Sequence, residues 1–173
     1  LNRQILALQS TLGQWKAQAA RERVLQINPQ ARAEAFPLYF TEETAGQFPF
    51  SRYDYVVDAI DMVSAKLEII GRSKEAGTPV ITCLGTGNKF DPMAFRVTDI
   101  SKTEVCPLAR VMRRELKKRQ IADVKALWSA EPPKKPEGIP SGERPVPGSM
   151  AFVPGAAGLL LAAEVVKDLL GGW

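Results

Sequence analysis

Two nearly unbroken apolar runs, at residues 53–60 and 80–84, flank a stretch of helical periodicity at 64–76. A strand this apolar leaves neither face for water. Two such strands joined through a helix can lie together as parallel neighbours, covered on both sides. The same alternation continues downstream. Residues 95–100 and 124–128 read as short strands, 107–120 as an amphipathic helix, and 156–170 as a final helix entered through 150–153. Together these predict an α/β fold: a mostly parallel sheet flanked by helices, with additional strands toward the C-terminus. Upstream, Ile5, Leu8, Leu12, Trp15, Ala19 and Leu25 recur near helical spacing. A break falls at 10–13, Asn28-Pro29 stops the pattern, and 32–36 reads as one more short strand.

At 173 residues and 45% apolar, the chain is expected to form one domain spanning 1–173 with a sizeable core. Residues 129–149 hold six prolines and three glycines, too many for a packed element, and are expected to be a mobile loop within that domain. The apolar run 151–170 is the one candidate for a membrane span. Pro154, Gly155, Glu164, Lys167 and Asp168 interrupt it, so it is expected to be a core or subunit-interface helix instead. Two distant cysteines, Cys83 and Cys106, suit a cytoplasmic protein better than a disulfide framework, and they are too few for a four-cysteine structural zinc. Histidine is absent, which removes the commonest general base.

Chemistry has then to come from a sparse set of charges. Asp61 follows the strand at 53–60, where ligands bind in open parallel sheets, and a lone carboxylate there suits Mg²⁺ shared with phosphates. Arg3 carries a planar fork matched to phosphate oxygens, and Lys16 opens a helix whose amides also favour anions. Each has a plainer explanation: Arg3 and Lys16 as solvated charges, Asp61 as a helix N-cap. Gly85-Thr86-Gly87, after the strand at 80–84, falls at the same sheet edge as Asp61 and reads as a close-approach loop or a plain turn. Asp58, inside an apolar strand, is expected to be a hydrogen-bonded structural acid.

Leu1-Asn2-Arg3-Gln4, Gly13-x-x-Lys16, Asp58-Ala59-Ile60-Asp61 and Lys66 resemble the ubiquitin-activating-enzyme-like superfamily that contains ThiF and MoeB. The segments 95–103, Pro107-Leu108-Ala109 and 150–154 narrow the resemblance to its TcdA branch, also called YgdL or CsdL. The resemblance implies a homodimeric, Rossmann-like enzyme that uses ATP and Mg²⁺ to adenylate a carboxylate. In that branch the carboxylate is on threonylcarbamoyladenosine in tRNA, which then cyclises with loss of water. It implies catalytic roles for Arg3, Lys16 and Asp61, with Asp61 toward Mg²⁺, and a nucleotide contact from Gln4; the position of Gly85 and Gly87 after their strand adds a loop close to the α-phosphate or the acyl group. It also implies that the Gly-rich phosphate loop and two strands lie upstream of Leu1. The chain is therefore expected to start inside its domain, and residues 1–173 alone are expected neither to fold in full nor to bind ATP.

The implied chemistry suits a chain without histidine. A carboxylate is already ionised at neutral pH, so attack on phosphorus needs positioning and charge neutralisation more than a base. A second surface could carry the RNA. Arg110, Arg113, Arg114, Lys117 and Lys118 follow i, i+3, i+4, i+7, i+8 spacing on one helix face, a pattern that tracks a phosphate backbone or simply solvates a helix. Lys134, Lys135 and Arg144 could add to it. Cys106 before Pro107 is either a small buried cap or a reactive thiol, and Cys83 reads as core. The absence of Cys-x-x-Cys pairs favours the TcdA branch over sulfur-carrier adenylyltransferases. These remain the alternative, with a sulfur-transfer protein as possible partner. A non-catalytic module binding RNA or a protein is the reading from another class, and a nicotinamide-dependent dehydrogenase is the generic one.

Overall fold

The structure, a computed structural model, describes residues 4–134 and 147–172. A four-stranded sheet in the order β1-β2-β4-β3 forms the centre. It is built from β1 (Val56–Asp58), β2 (Val80–Cys83), β3 (Phe95–Asp99) and β4 (Lys125–Ser129). The first three strands in that order are parallel, with Val56 opposite Val80 and Ile81 opposite Lys125. β3 runs antiparallel to β4, placing Asp99 opposite Lys125. This is the mixed, mostly parallel α/β sheet that the alternation of elements predicts.

Helices cover both faces. α3 (Val63–Glu75) and α4 (Pro107–Lys118) pack on one side, where Leu67, Ile70, Met112 and Leu116 meet Val80, Ala126 and Trp128. α5 (Phe152–Leu169) covers the other, setting Val153, Ala157 and Leu161 against Ile81, Phe95 and Leu127. Ala126 and Trp128 face one layer and Leu127 the other, as the two-residue period of a strand requires. Two further helices precede the sheet, α1 (Lys16–Ile27) and the short α2 (Glu42–Ala45).

Several elements differ from their sequence pattern for local reasons. The apolar run at 53–60 yields only three strand residues, because Tyr53 closes a 3-10 turn and the Asp58 carboxylate takes the Ile60 N–H at 3.2 Å. Residues 32–36 run without strand structure: no ladder partner reaches them among the described residues. The helical spacing from Ile5 to Trp15 resolves into a 3-10 turn at Gln9–Thr11 and a left-handed Gly13, with α1 starting at Lys16. α5 begins earlier than its periodicity suggests. Pro154 and Gly155 fit its first turn, where N–H groups have no helical partner to lose. Among the described residues no helix is long and apolar enough to cross a membrane.

Candidate active site

The carboxyl ends of β1 and β2 are tied together by a fully buried charge pair. Lys66, on α3, places its Nζ 2.8 Å from Asp58 Oδ2, with both side chains wholly excluded from solvent. Thr82 of β2 donates its hydroxyl to the same oxygen at 2.6 Å and accepts from Lys66 at 3.2 Å. Removing two charges from water is costly unless their hydrogen bonds are made, and here they are. Asp58 thus acts as the structural acid expected of it. Its second oxygen holds the Ile60 amide, fixing the turn that leads to Asp61.

Asp61 is exposed and makes no side-chain hydrogen bond or ion pair among the described residues. It is not the helix cap: that place belongs to Met62, whose side chain caps nothing. An unpartnered carboxylate at a strand's carboxyl end lines a cavity of about 570 Å³ together with Gly85, Gly87 and Leu108. A second cavity of about 820 Å³ is lined by Gln4, Gly13 and Lys16 together with the apolar Ile5, Leu6, Leu8 and Leu12. Ala59 borders both, so the two compartments adjoin beside the turn that carries Asp61. The structure therefore brings Gln4 and Lys16 to one compartment and Asp61, Gly85 and Gly87 to the next. Arg3 lies outside the described residues.

Lys16 is the first residue of α1, and no acid accompanies it in that turn. A cation there opposes the helix dipole unless an anion sits beside it. The arrangement fits a polyanion shared between the compartment that Lys16 borders and a carboxylate. No group of three or more metal-binding side chains occurs among the described residues, so a divalent ion would take most of its ligands from water and phosphate, as Mg²⁺ readily does.

Gly87 has a packing role that its sequence context did not signal. A Cβ added there would come within 3.0 Å of Pro147 Cβ and 3.6 Å of Gly148 O. Pro147, Gly148 and Ser149 also line the Asp61 cavity. The Pro-rich excursion thus returns as a wall of the site, although residues 135–146, with Lys135 and Arg144, lie outside the described part. Cys106 occupies the N-cap of α4 but is buried, with its sulfur 4.0 Å from the position a Gly85 Cβ would take. Burial pushes the Cys83 thiol up to about 11, keeping it protonated at neutral pH.

The basic face of α4 is less uniform than its spacing implies. Glu115 lies within it and accepts from Lys118 at 2.9 Å, Arg114 at 3.1 Å and Arg119 at 3.3 Å. Hydrogen bonds from Lys118 and then Arg114 hold its carboxyl down to about 2. Arg113 is half-buried and binds the Thr103 carbonyl at 2.7 Å as well as its hydroxyl. Arg110 and Lys117 are exposed without a side-chain partner among the described residues. Leu108, in the first turn of α4, lines the Asp61 cavity. The other end of the helix, about 18 Å away, reaches Asp99 at the opposite sheet edge.

Comparison with known proteins places this geometry. The model of the ThiF family matches residues 1–172. The chain is 38% identical over 183 residues to the tRNA threonylcarbamoyladenosine dehydratase of Bacillus subtilis, covering 98% of this chain and 72% of that protein. Its fold matches the crystal structure of the E. coli enzyme TcdA in complex with ATP with a TM-score of 0.87 at 30% identity. That match covers 98% of this chain and 70% of the solved one. A sulfur carrier protein adenylyltransferase of Thermus thermophilus is 30% identical over 172 residues, 99% of this chain and 55% of that protein.

Proposed function

The chain belongs to the ThiF family, in its tRNA threonylcarbamoyladenosine dehydratase branch, and we propose that it uses ATP to adenylate the carboxylate of threonylcarbamoyladenosine in tRNA. A carboxylate oxygen bonds to the α-phosphorus while the bridge to the β-phosphate breaks and pyrophosphate leaves. A nucleophile of the same modified side chain then displaces AMP and closes the ring, so the nucleoside has lost water overall. The observation that carries this reading is the free Asp61 carboxylate, lining a cavity that adjoins the Lys16 compartment at Ala59.

Lys16, with Gln4 and Arg3, holds the phosphates and neutralises charge as the pentacoordinate centre forms. Asp61 would hold a divalent ion, directly or through water, and Mg²⁺ there would supply charge neutralisation on the phosphates. The backbone at Gly85 and Gly87 borders the side from which the acyl group enters. No protein base is needed for the first step. Residues 1–173 belong to one adenylating domain. The exposed Arg110, Arg114, Lys117 and Lys118 place the tRNA backbone along α4, whose first turn adjoins the reacting centre; Arg113 acts mainly through Thr103. Trp15 and Ile27 are both more than half exposed, and a second copy of the chain would cover such a surface in a homodimer. A cytoplasmic setting agrees with free cysteines and a tRNA substrate.

The Thermus thermophilus relative supports a second reading, adenylation of a ubiquitin-like sulfur carrier. ATP–pyrophosphate exchange separates the two. With Mg²⁺ present, exchange is expected to require tRNA bearing threonylcarbamoyladenosine and to be absent with unmodified tRNA. Exchange supported instead by a carrier with a diglycine tail would replace the first reading with the second. Exchange with neither would leave the non-catalytic reading.

A further inference from the structure

The connection after β2 contains a residue that no step above uses. Asn88 has a left-handed backbone, φ +58°, which asparagine tolerates better than other side chains. Its N–H donates to Gly148 O at 2.8 Å, and its Oδ1 accepts the Gly148 N–H at 2.7 Å. Its carbonyl accepts the Lys134 N–H at 2.8 Å. One residue therefore grips the outgoing and the returning limb of the Pro-rich excursion together.

Its neighbours fasten the outgoing limb only. Lys89, 2% exposed, donates Nζ to the Glu131 carbonyl and, at 3.5 Å, to that of Ser129. The Glu131 carboxylate takes the N–H groups of Phe90 and Asp91, each at 2.9 Å. On the returning limb, Pro147 sits against Gly87 so closely that a methyl there would strike it at 3.0 Å. Pro147, Gly148 and Ser149 line the same cavity as Asp61 and Gly85. Lys16 lines the adjoining compartment and not this one, so the wall is assigned to the acyl acceptor.

We propose that Asn88 is a positioning residue: by buckling Gly148 to the sheet edge it sets the wall against which the carboxylate-bearing nucleoside is held. The proposal rests on the adenylation reading for its ligand, but the buckle itself can be tested without it. Three variants separate the parts. Asn88→Asp keeps an Oδ acceptor and tolerance of the left-handed backbone. Asn88→Gly keeps the backbone and removes the acceptor. Gly87→Ala leaves Asn88 intact and pushes Pro147 outward.

The experiment measures KM for tRNA bearing threonylcarbamoyladenosine, KM for ATP, and exchange of the Gly148 amide. Loss of one neutral hydrogen bond weakens acceptor binding by about tenfold at most. Asn88→Gly is expected to raise KM for the tRNA toward that limit with KM for ATP unchanged; Gly87→Ala, which crowds Pro147, is expected to raise KM for the tRNA as well. Gly148 exchange accelerates in Asn88→Gly and stays near wild type in Asn88→Asp, which also restores KM. Unchanged KM for tRNA in Asn88→Gly, or an equal rise for ATP, overturns the proposal. If the wild-type protein shows no tRNA-dependent exchange, the adenylation reading has failed by itself. The amide then decides: a Gly148 as protected in Asn88→Gly as in wild type overturns the buckle.

Discussion

The two charged regions of this molecule hold their charges in opposite ways. At the sheet edge, Asp58 and Lys66 are wholly buried and each meets a fixed partner, with Thr82 bridging them. On α4, three exposed cations share the single acid Glu115, while Arg110 and Lys117 stand in water. Buried charges fix geometry because moving either one leaves the other desolvated and unpaired. Solvated charges fix almost nothing, yet their number sets a field that a polyanion can follow. The first region suits chemistry on one phosphorus atom, and the second suits attachment of a long backbone.

The contrast is broken most forcefully at Lys66. Lys66→Ala leaves the Asp58 carboxylate buried without its counter-charge and is expected to cost about 3–5 kcal/mol. Thermal melting should fall by roughly 6–20 °C on that basis. The double variant Asp58→Leu/Lys66→Met replaces the pair with apolar bulk, and its melting point should lie near or above that of wild type. A single variant as stable as the double would show that the pair is not held as tightly as its burial implies.

Asp61→Asn tests function at the same edge without touching stability, since Asp61 is exposed and unpartnered. Exchange with tRNA substrate should drop by on the order of 10²–10³-fold, the usual loss when one group stabilising transition-state charge is removed. Melting should be unchanged. On α4, Arg110→Glu with Lys117→Glu should weaken tRNA binding by about tenfold or more and reduce the slope of log affinity against log salt by about two. Filter binding at several salt concentrations reads both. Binding indifferent to the pair would move the RNA to another surface.

The smallest effect concerns Glu115. Its folded carboxyl titrates near 2, below the ordinary 4.5, so its contribution to stability is complete above 4.5 and is lost as pH falls through 2. The stability difference between wild type and Glu115→Gln in urea titrations should therefore close between those values. At neutral pH the same variant frees Arg114, Lys118 and Arg119, and tRNA binding should tighten by severalfold at low salt.

Much of this architecture is readable from pattern alone, and the exceptions have physical causes. β1 and β2 are legible because both faces are covered, and α4 because its stripe is regular. The antiparallel course of β3 is not, since alternation is blind to direction. Residues 32–36 have strand-like composition but meet no ladder partner among the described residues, and no single-strand property reports that. Asp61 is legible as the acid after a hydrophobic strand. The pairing of Asp58 with Lys66 had only a faint signal, a lysine set among Ala65, Leu67, Ile69 and Ile70 on a buried helix face. Glu115 was visible in the sequence, but its grip on three cations depends on rotamers that spacing does not specify. Asn88 left still less trace: asparagine after glycine marks a turn and says nothing of which distant segments it fastens.

Ala59 is a threshold: its single methyl group lines both chambers. Under the adenylation reading, reactants held in separate rooms would have to touch beside it. A bulkier side chain such as leucine there would leave each room able to receive its guest. Occupancy and reaction would then part company: both ligands titrate as before, and turnover stops.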